Sequence, residues 1–250
     1  MKHRRLHNLL HNLPPTLPQR LPRHLFLLIL LSLLPLLSAC NIVDSPEPGP
    51  DGVTSATEKR YQELEIREYE GMRLDPSIGP RDNSISGIQQ VDIDNYELTV
   101  TGLVDTPLTY TYDEVLALTA YERLITLHCV EGWDATVLWE GVRLADLIES
   151  AGVQPESVTV IFHCVDDYTT SMPLETILER DMLLAYNSNG IQLPAALGYP
   201  FIVIAEDKLG YKWARWVNEI ELTEDADYEG YWESRGYEND PDLREKSTTP

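Results

Sequence analysis

The sequence predicts an α+β protein, and three observations support this fold class. Short strand and helix patterns follow one another after residue 85, without the strict strand, helix, strand rhythm of a parallel α/β sheet. The chain contains neither a Gly-x-Gly-x-x-Gly loop nor a Walker-type loop, so it does not support a dinucleotide-binding domain or a P-loop. It also contains no visible internal repeat, which leaves one compact domain as the simplest organisation.

The first half of this domain holds two predicted strands and two predicted helices. Residues 96–102 alternate polar and apolar side chains, as a half-exposed strand does, and residues 123–130 form the second strand pattern. Thr111 and the acidic turn after it precede an apolar run, which predicts a short capped helix. Apolar residues between 144 and 151 share one helical face and predict a second helix, which ends at Gly152.

The second half continues the same mixture. Alternating apolar residues predict a strand over residues 157–164, and a short helix follows near residues 174–178. Two further apolar segments, near residues 201–205 and 216–222, predict the last strands. Strands and short helices are therefore mixed along the whole domain, as the α+β class requires.

Acidic residues dominate the charge of the chain. It has 19 Lys+Arg against 41 Asp+Glu and a formal net charge of −22. Such a chain repels polyanions, so we expect no nucleic-acid partner. Hydrophobic residues make up 43% of the sequence, which is typical of a globular protein and excludes a wholly disordered one.

The first 39 residues differ from the rest in charge and hydropathy. They contain five basic residues and no acidic one, and an uncharged apolar stretch spans residues 25–37. A basic start, an apolar stretch and small residues before a cleavage point predict a signal peptide over residues 1–39 and export of the protein. The alternative is a membrane-spanning helix, but this needs about 20 apolar residues. The stretch here is shorter and contains Pro35.

The residues Leu-Ser-Ala-Cys at 37–40 resemble the bacterial lipobox, in which the cysteine is lipidated and becomes the first residue. The resemblance implies that Cys40 carries a lipid anchor at the extracytoplasmic face of a membrane, because two acyl chains hold a protein there stably. Residues 40–82 would then be a lipid-anchored tether and lead-in, flexible where Pro, Gly and Ser are frequent. Arg4 and Arg5 leave twin-arginine export open beside general export.

Two cysteines and two histidines remain after the N-terminal region, and each histidine directly precedes a cysteine: His128 with Cys129 and His163 with Cys164. Neighbouring residues of a strand point to opposite faces, so one zinc ion would not easily collect all four side chains. A disulfide, two inert thiols and a functional thiolate at Cys129 stay open. Cys129 is the better candidate for a ligand because a turn-like segment follows it, whereas Cys164 ends an apolar strand.

The densest basic group of the exported chain is Lys208, Lys212 and Arg215, which alternate with aromatic residues. Such a group suits an anionic phosphate, and the alternative is three surface cations that pair with nearby carboxylates. Residues 226–250 form an acidic C-terminal extension that contains four aromatic residues. Aromatic side chains at this density predict an extension that packs against the domain.

Seven sequence blocks, in order, resemble the molybdopterin-binding domain of the sulfite oxidase superfamily. The blocks are LHCVEGW at 127–133, WEGVRL at 139–144, DYTTSMPL at 167–174, LLAY at 183–186 with NG at 189–190, GYP at 198–200, GYKW at 210–213 and GYWE at 230–233. The resemblance covers roughly residues 83–240. It implies a sulfite-oxidase-like mixed β-sheet fold, with the oxidoreductase domain over residues 83–225, that binds one molybdenum-molybdopterin cofactor.

The resemblance also implies roles for individual residues. Cys129 stands where the family has the thiolate ligand of the metal, and a soft thiolate suits a metal already bound by dithiolene sulfur. Lys212 and Arg215 stand where the family holds the cofactor phosphate, and Asn83 and Cys164 lie near positions that contact the pterin. Two tyrosines of the same blocks, Tyr168 and Tyr211, are predicted to belong to the catalytic pocket.

Departures from the family pattern bear on the substrate. Family members commonly have an arginine two residues after the proline of Gly-x-Pro, where this chain has Ile202. No Cys-x-x-Cys-His haem motif is present. These features argue against sulfite as the substrate. Exported, single-domain members of the family resemble the catalytic subunit of a periplasmic system that reduces methionine sulfoxide. This resemblance implies oxygen-atom transfer on a small S-oxide or N-oxide, with electrons from a separate partner such as a cytochrome or a quinone-linked membrane protein. A sulfite-type oxidase and a cofactor-free lipoprotein that binds a small molecule with the same fold stay open as alternatives.

Overall fold

The computed structural model describes residues 55–79 and 82–243, in which short helices and strands are mixed. Within these residues the α-helices are Ser55–Leu64 (α1), Tyr112–Leu116 (α2), Leu144–Ala151 (α3) and Leu174–Glu179 (α4). The strands in the first half of the same part of the chain are Glu68–Tyr69 (β1), Met72–Arg73 (β2), Leu98–Gly102 (β3), Leu108–Tyr110 (β4), Tyr121–His128 (β5) and Asp134–Arg143 (β6). The later strands are Thr159–Cys164 (β7), Thr169–Pro173 (β8), Leu183–Ser188 (β9), Ile191–Gln192 (β10), Ile202–Ile204 (β11) and Val217–Thr223 (β12).

Two larger sheets carry the domain. The first has the order β4-β3-β12-β7-β8, and β12 runs parallel to β3 but antiparallel to β7. The second has the order β10-β9-β6-β5, and β11 also pairs with β9. One hydrophobic core joins the two sheets, because the same cluster of buried side chains contains Phe162 and Ile220 from the first sheet and Val137 and Leu184 from the second. This mixed arrangement confirms the α+β class.

The predicted elements are found, with boundaries shifted by a few residues. The five predicted strands correspond to β3, β5, β7, β11 and β12, and the three predicted helices to α2, α3 and α4. Helix α3 buries Leu144, Leu147, Ile148 and Ala151 and ends at Gly152, as the apolar spacing predicts. Other elements have no predicted counterpart, and the longest of these strands is the ten-residue strand β6.

Strand β6 escapes prediction because it does not alternate. Its centre, from Val137 to Trp139, is buried on both faces, and Gly141 interrupts the pattern. Gly141 lies at a register shift against β9, where a Cβ atom would come within 2.2 Å of the Leu184 carbonyl oxygen. The glycine therefore allows two backbones to approach, and in the sequence alone it suggests a break in the strand.

The lead-in is packed against the domain where the structure describes it. The carboxylate of buried Glu65 accepts hydrogen bonds from the Ser77 amide (2.8 Å) and the Asn189 side chain (3.3 Å), and the Ile66 amide donates to the Asn189 carbonyl (3.0 Å). Of the predicted tether and lead-in over residues 40–82, the structure describes residues 55–79 and 82. Residues 55–79 include α1 and the β1-β2 hairpin. The predicted signal peptide and Cys40 lie outside the described residues. No helix in the described part of the chain is long and apolar enough to span a membrane.

Helix α2 starts with a reciprocal cap, which gives a first testable prediction. The Thr111 hydroxyl accepts from the Glu114 amide (3.3 Å), and the Glu114 carboxylate accepts from the Thr111 amide (2.8 Å). We expect Thr111→Ala to lower the free energy of unfolding by about 1 kcal/mol in urea titrations, because the cap is lost. Thr111→Ser keeps the hydroxyl and should stay close to wild type. Equal stability of all three proteins would contradict this role of the cap.

The same cap has a pH dependence with a definite sign. The hydrogen bonds from Thr111 lower the pKa of Glu114 below its ordinary value. A carboxylate whose pKa is lower in the folded state stabilises the fold above its unfolded pKa, and this contribution is lost as the pH falls through the folded pKa. We therefore expect the difference between wild type and Thr111→Ala to shrink in acid.

Candidate cofactor cavity

A cavity of about 440 Å³ lies where the end of β5 meets the turn between β7 and β8 and the turn before β12. Its lining also includes part of the lead-in and part of the C-terminal extension. The lining side chains with polar or reactive groups include Asn83, Cys129, Glu131, Asp166, Tyr168, Tyr211 and Arg215. The apolar and aromatic part of the wall includes Trp133, Ile202, Trp213, Trp216, Trp232 and Tyr237.

Cys129 lies directly after β5, in a turn that presents its thiol to the cavity. The turn closes because the Cys129 amide donates to the Trp133 carbonyl and the Gly132 amide to the Cys129 carbonyl, both at 3.0 Å. Gly132 has a φ of +86°, a conformation that favours glycine. The Asn83 amide group donates to the Cys129 sulfur at 3.7 Å. The structure thus brings together two residues that are 46 positions apart in the chain.

The basic cluster lies next to Cys129 because a short helical turn, Gly210–Lys212, packs against the end of β5. His128 forms a parallel bridge with Leu209, and a Cβ atom on Gly210 would lie 3.7 Å from the Cys129 Cα. The candidate metal ligand and the candidate phosphate-binding segment are therefore neighbours.

Arg215 reaches the cavity wall, as the resemblance implies. Its guanidinium donates to the Ala196 carbonyl at 2.8 Å and to the Asp82 carboxylate at 3.1 Å. The same group lies 4.5 Å from the centre of the Trp216 ring. These contacts hold a planar cation at the wall, where its remaining N–H groups suit a phosphate.

Lys212 does not reach the cavity, so the structure corrects the prediction that it binds a cofactor phosphate directly. Its ammonium group donates to the Glu233 carboxylate at 2.5 Å and to the Ser171 carbonyl at 2.9 Å. Both side chains of the ion pair have an exposed fraction of 0%. Burial lowers the pKa of Lys212, and the neighbouring Glu233 opposes that shift. The third cation of the cluster, Lys208, is also buried and pairs with Asp240 and Asp242.

Tyr168 and Tyr211 both line the cavity, and their hydroxyl groups have structural partners. Tyr168 donates to the Tyr211 carbonyl, and Tyr211 donates to the Glu238 carbonyl at 2.8 Å. Burial raises the pKa of both phenols well above the ordinary value. At neutral pH both tyrosines are therefore uncharged, and each hydroxyl hydrogen is already donated to a backbone carbonyl. Their catalytic role stays a prediction.

Cys164 is buried behind the cavity lining and is not part of it. It ends β7, in the first sheet, and Cys129 follows β5, in the second. Neither thiol forms a disulfide, so that alternative is wrong for this pair. Burial raises the pKa of the Cys164 thiol well above its ordinary value, so this sulfur is a neutral, inert group. The predicted pterin contact of Cys164 has no support in this placement.

The two histidines face carboxylates and not each other. His128 pairs with Asp134 at 2.7 Å and His163 with Glu221 at 2.8 Å. In the described part of the chain, no three His, Cys, Asp or Glu side chains are grouped so that they could hold a metal ion. This arrangement gives no support to a zinc site built from the His-Cys pairs.

Asp166 is a buried acidic residue of the lining that the sequence does not predict as a site residue. Its side chain accepts from the Tyr168 amide at 3.2 Å, and the residue is only 8% exposed. Burial raises its pKa above the ordinary value, while nearby Arg215 opposes the shift. In a chain with 41 acidic residues, no sequence signal distinguishes this one.

The raised pKa of Asp166 predicts a gain in stability when its charge is removed. A carboxyl group with a raised folded pKa stabilises the fold when protonated, and this contribution is lost as the pH rises through that pKa. We therefore expect Asp166→Asn to unfold at a higher denaturant concentration than wild type at pH 7. The difference should disappear below pH 3.8, the ordinary pKa, where both side chains are neutral. A variant that is less stable than wild type at pH 7 would contradict this reasoning.

Known proteins with similar sequences include molybdopterin-binding oxidoreductases. The family model for the oxidoreductase molybdopterin-binding domain matches residues 85–232. The uncharacterized oxidoreductase YuiH of Bacillus subtilis is 37% identical over 147 residues, which cover 58% of this chain and 74% of YuiH. A putative protein-methionine-sulfoxide reductase subunit, YedZ1 of Azospira oryzae, is 34% identical over 150 residues, which cover 60% of this chain and 57% of that subunit.

A solved structure supports the fold. The sulfane dehydrogenase SoxCD of Paracoccus pantotrophus superposes with a TM-score of 0.54 at 24% identity, over 56% of this chain and 41% of the other. The sulfite-oxidase-like fold that the sequence blocks imply is thereby confirmed. The family match covers more than half of the chain and includes Cys129, Asp166 and Arg215. This protein therefore belongs to the oxidoreductase molybdopterin-binding domain family.

Proposed function

We propose that this protein is a molybdenum-pterin oxidoreductase that removes the oxygen atom from a small S-oxide or N-oxide. The observation that carries the proposal is Ile202, which lines the cavity and is 1% exposed. An apolar side chain stands at the position where an arginine would attract an oxyanion such as sulfite. The neighbouring aromatic wall favours an uncharged substrate with apolar substituents. The similarity to YedZ1, a putative protein-methionine-sulfoxide reductase subunit, supports an S-oxide as substrate.

The residues of the cavity fit the cofactor that the family binds. Cys129 offers a soft sulfur ligand, and Asn83 donates an N–H to that sulfur. Arg215 offers guanidinium donors for a phosphate at another part of the same wall. Asp166 offers a buried carboxylate that can accept from the N–H groups of a pterin. A volume of about 440 Å³ lies within the range of cofactor sites.

These residues would bind and orient the cofactor and the substrate, whereas the redox chemistry is that of the cofactor. When bound, the cofactor supplies two-electron redox chemistry at its metal. The overall reaction consumes one S-oxide, two protons and two electrons and yields a sulfide and water. Trp133, Trp232 and Tyr237 give the cavity wall an aromatic surface beside the position of the cofactor.

The location of the reaction is part of the same proposal. The signal peptide pattern and the lipidation motif at Cys40 support a location at the extracytoplasmic face of a membrane, with a lipid anchor. We propose that the two electrons come from a separate cytochrome or quinone-linked membrane protein, and the similarity to YedZ1, which is a subunit of a larger system, supports this. Metabolic labelling with a fatty acid tests the anchor. We expect label on wild type and none on Cys40→Ala, and equal labelling would contradict the assignment.

The experiment that tests the function begins with the metal. The full chain is made in a host that produces the cofactor, and molybdenum per chain is measured by mass spectrometry. Reduction of methionine sulfoxide and trimethylamine N-oxide is then assayed with a reduced viologen dye, and oxidation of sulfite with ferricyanide. We expect about one molybdenum per chain and faster turnover of an oxide than of sulfite.

Other outcomes of this experiment separate the alternatives. Molybdenum with sulfite oxidation as the faster reaction would overturn the S-oxide proposal in favour of a sulfite-type oxidase. A folded protein without molybdenum, from a host that loads a control molybdoenzyme, would support the cofactor-free binding protein instead.

A further inference from the structure

The C-terminal segment that follows the last strand forms part of the cavity wall. Strand β12 ends at Thr223, and the chain then returns to the cavity, where Trp232 and Tyr237 line it. The rings of these two residues lie 5.1 Å apart, and Tyr237 lies 5.2 Å from Tyr211. The cavity is therefore complete only when this segment is in place.

Within the described residues, the segment belongs to neither large sheet, although Asp242 forms one isolated bridge with Lys208. From residue 228 to residue 243 its one regular element is the helical turn Glu233–Arg235. Three backbone hydrogen bonds tie it to the domain, at Thr169, Leu209 and Asp207. It can therefore detach without breaking a strand of either large sheet, as a local opening requires.

Charged side chains hold the segment closed. Lys208, which is 1% exposed, donates to Asp240 and to Asp242, and the Lys208–Asp242 distance is 2.7 Å. Arg180 donates to Asp242 at 3.1 Å. The two aspartates are 49% and 54% exposed, so water and salt can reach these contacts.

In the closed state, one carboxylate of the segment is only partly satisfied by hydrogen bonds. Glu233 is buried, and one of its carboxylate oxygens accepts from Lys212 and from Thr170. The other oxygen, Oε2, is buried without a hydrogen-bond partner. An unsatisfied buried oxygen destabilises the closed state and favours opening.

The segment clamps the part of the chain that faces the cofactor. Lys208 lies two residues before the turn Gly210–Lys212, and Lys212 is its last residue. The Lys208 carbonyl accepts from the indole of Trp213, a cavity residue. Release of the segment would therefore remove one wall and loosen the turn beside Cys129 at the same time.

We propose that residues 228–243 are a latch that opens the cavity for uptake and release of the cofactor and closes over it once it is bound. The proposal rests on the proposed function, since it assumes a resident cofactor. The latch itself is a property of the chain, and it can be measured without the cofactor.

Hydrogen exchange measured by mass spectrometry tests the latch, on cofactor-free full-length protein from a cofactor-deficient host and on loaded protein. We expect peptides from residues 228–243 of the cofactor-free protein to exchange at least about 10-fold faster than peptides from β12, because latch opening is local. Cofactor binding should slow the latch peptides and leave β12 unchanged. Latch peptides that exchange only as fast as β12 would overturn the proposal.

Two matched variants separate the latch contacts from general charge effects. Asp240→Asn/Asp242→Asn removes the carboxylates that hold Lys208. Asp225→Asn/Asp227→Asn makes the same charge change directly before the latch, where the Asp225 carboxylate accepts from the nearby Asp227 amide. We expect the first pair to speed latch exchange and molybdenum loss at least about 10-fold, and the second to match wild type. Equal rates in the two variants would overturn the proposal.

Two further measurements keep the test decisive. Asp242→Asn alone leaves Asp240 with Lys208 and should show a smaller increase in latch exchange in a fully folded protein. Exchange in β12 reports whether any variant has lost its fold. If wild type never binds molybdenum, the proposed function fails, while fast latch exchange in the cofactor-free chain still tests the opening.

Discussion

Cys129→Ser is expected to fold like wild type but to contain little molybdenum and to lose turnover by more than about 100-fold. Substitutions in the surroundings of metal ligands already lower affinity or activity by about 10- to 100-fold, so loss of the ligand itself should exceed that range. The serine hydroxyl is not a soft ligand and does not replace a thiolate beside dithiolene sulfur. Molybdenum content, the visible absorbance of the metal-thiolate centre and methionine sulfoxide reduction together measure the effect.

The chain offers a matched control for this experiment. Cys164→Ala removes the second thiol, which lies outside the cavity lining, and should retain the molybdenum content and the absorbance of wild type. Circular dichroism and urea titration should show the fold in both variants. Full activity in folded Cys129→Ser would refute the assignment of Cys129 as the metal ligand. Loss of molybdenum in folded Cys164→Ala would restore the pterin contact that the sequence blocks imply.

Reversal of charge at Arg215 should have the second largest effect. Hydrogen bonds to a charged group contribute about 1.5–3 kcal/mol, so Arg215→Glu should weaken cofactor binding by about 10- to 100-fold. The new carboxylate would also face Asp82, which now pairs with the guanidinium. Molybdenum per chain, together with the rate at which the purified protein loses it, measures the change.

Two variants distinguish cofactor binding from loss of a surface ion pair. Arg123 likewise pairs with one carboxylate, Glu206, and donates to two backbone carbonyls, but it does not line the cavity. Arg123→Glu should therefore keep its molybdenum. Arg215→Gln avoids repulsion from Asp82 and should still bind the cofactor less tightly than wild type. Unchanged occupancy in both Arg215 variants would return this arginine to a purely structural role.

Local elements of the fold follow from local sequence, because their signals lie within a few neighbouring residues. The capping residue Thr111, the apolar face of α3 and the stop at Gly152 are all found where the sequence predicts them. Strand β6 escapes because burial on both faces removes the alternation that marks a strand. Helix α1 is not predicted because its sequence is rich in polar residues and resembles a tether; the contacts with Asn189 that fix this part of the chain are made by Glu65 and Ile66, directly after the helix.

For the candidate site, too, the sequence predicts some features and the tertiary structure decides others. The resemblance to the family singles out Cys129, Asn83, Arg215 and Ile202, and all four line one cavity in the tertiary structure. The partner of each cation is decided by side chains far away in the sequence, which no local pattern reports. The sequence around Lys212 is therefore the same whether its ammonium group faces a phosphate or the carboxylate of another residue. In the structure it faces the buried carboxylate of Glu233.

The sequence by itself determined the family, the α+β class and the cysteine suited to a soft metal, because these depend on residue types in a fixed order. Only the tertiary structure decided that Asp166 and the C-terminal aromatic residues complete the cavity, that Cys164 lies outside it and that Lys212 is a clamp. The physical reason is that burial and charge pairing depend on which distant segments meet. That meeting is set by the packing of the two sheets and of the extension that follows them.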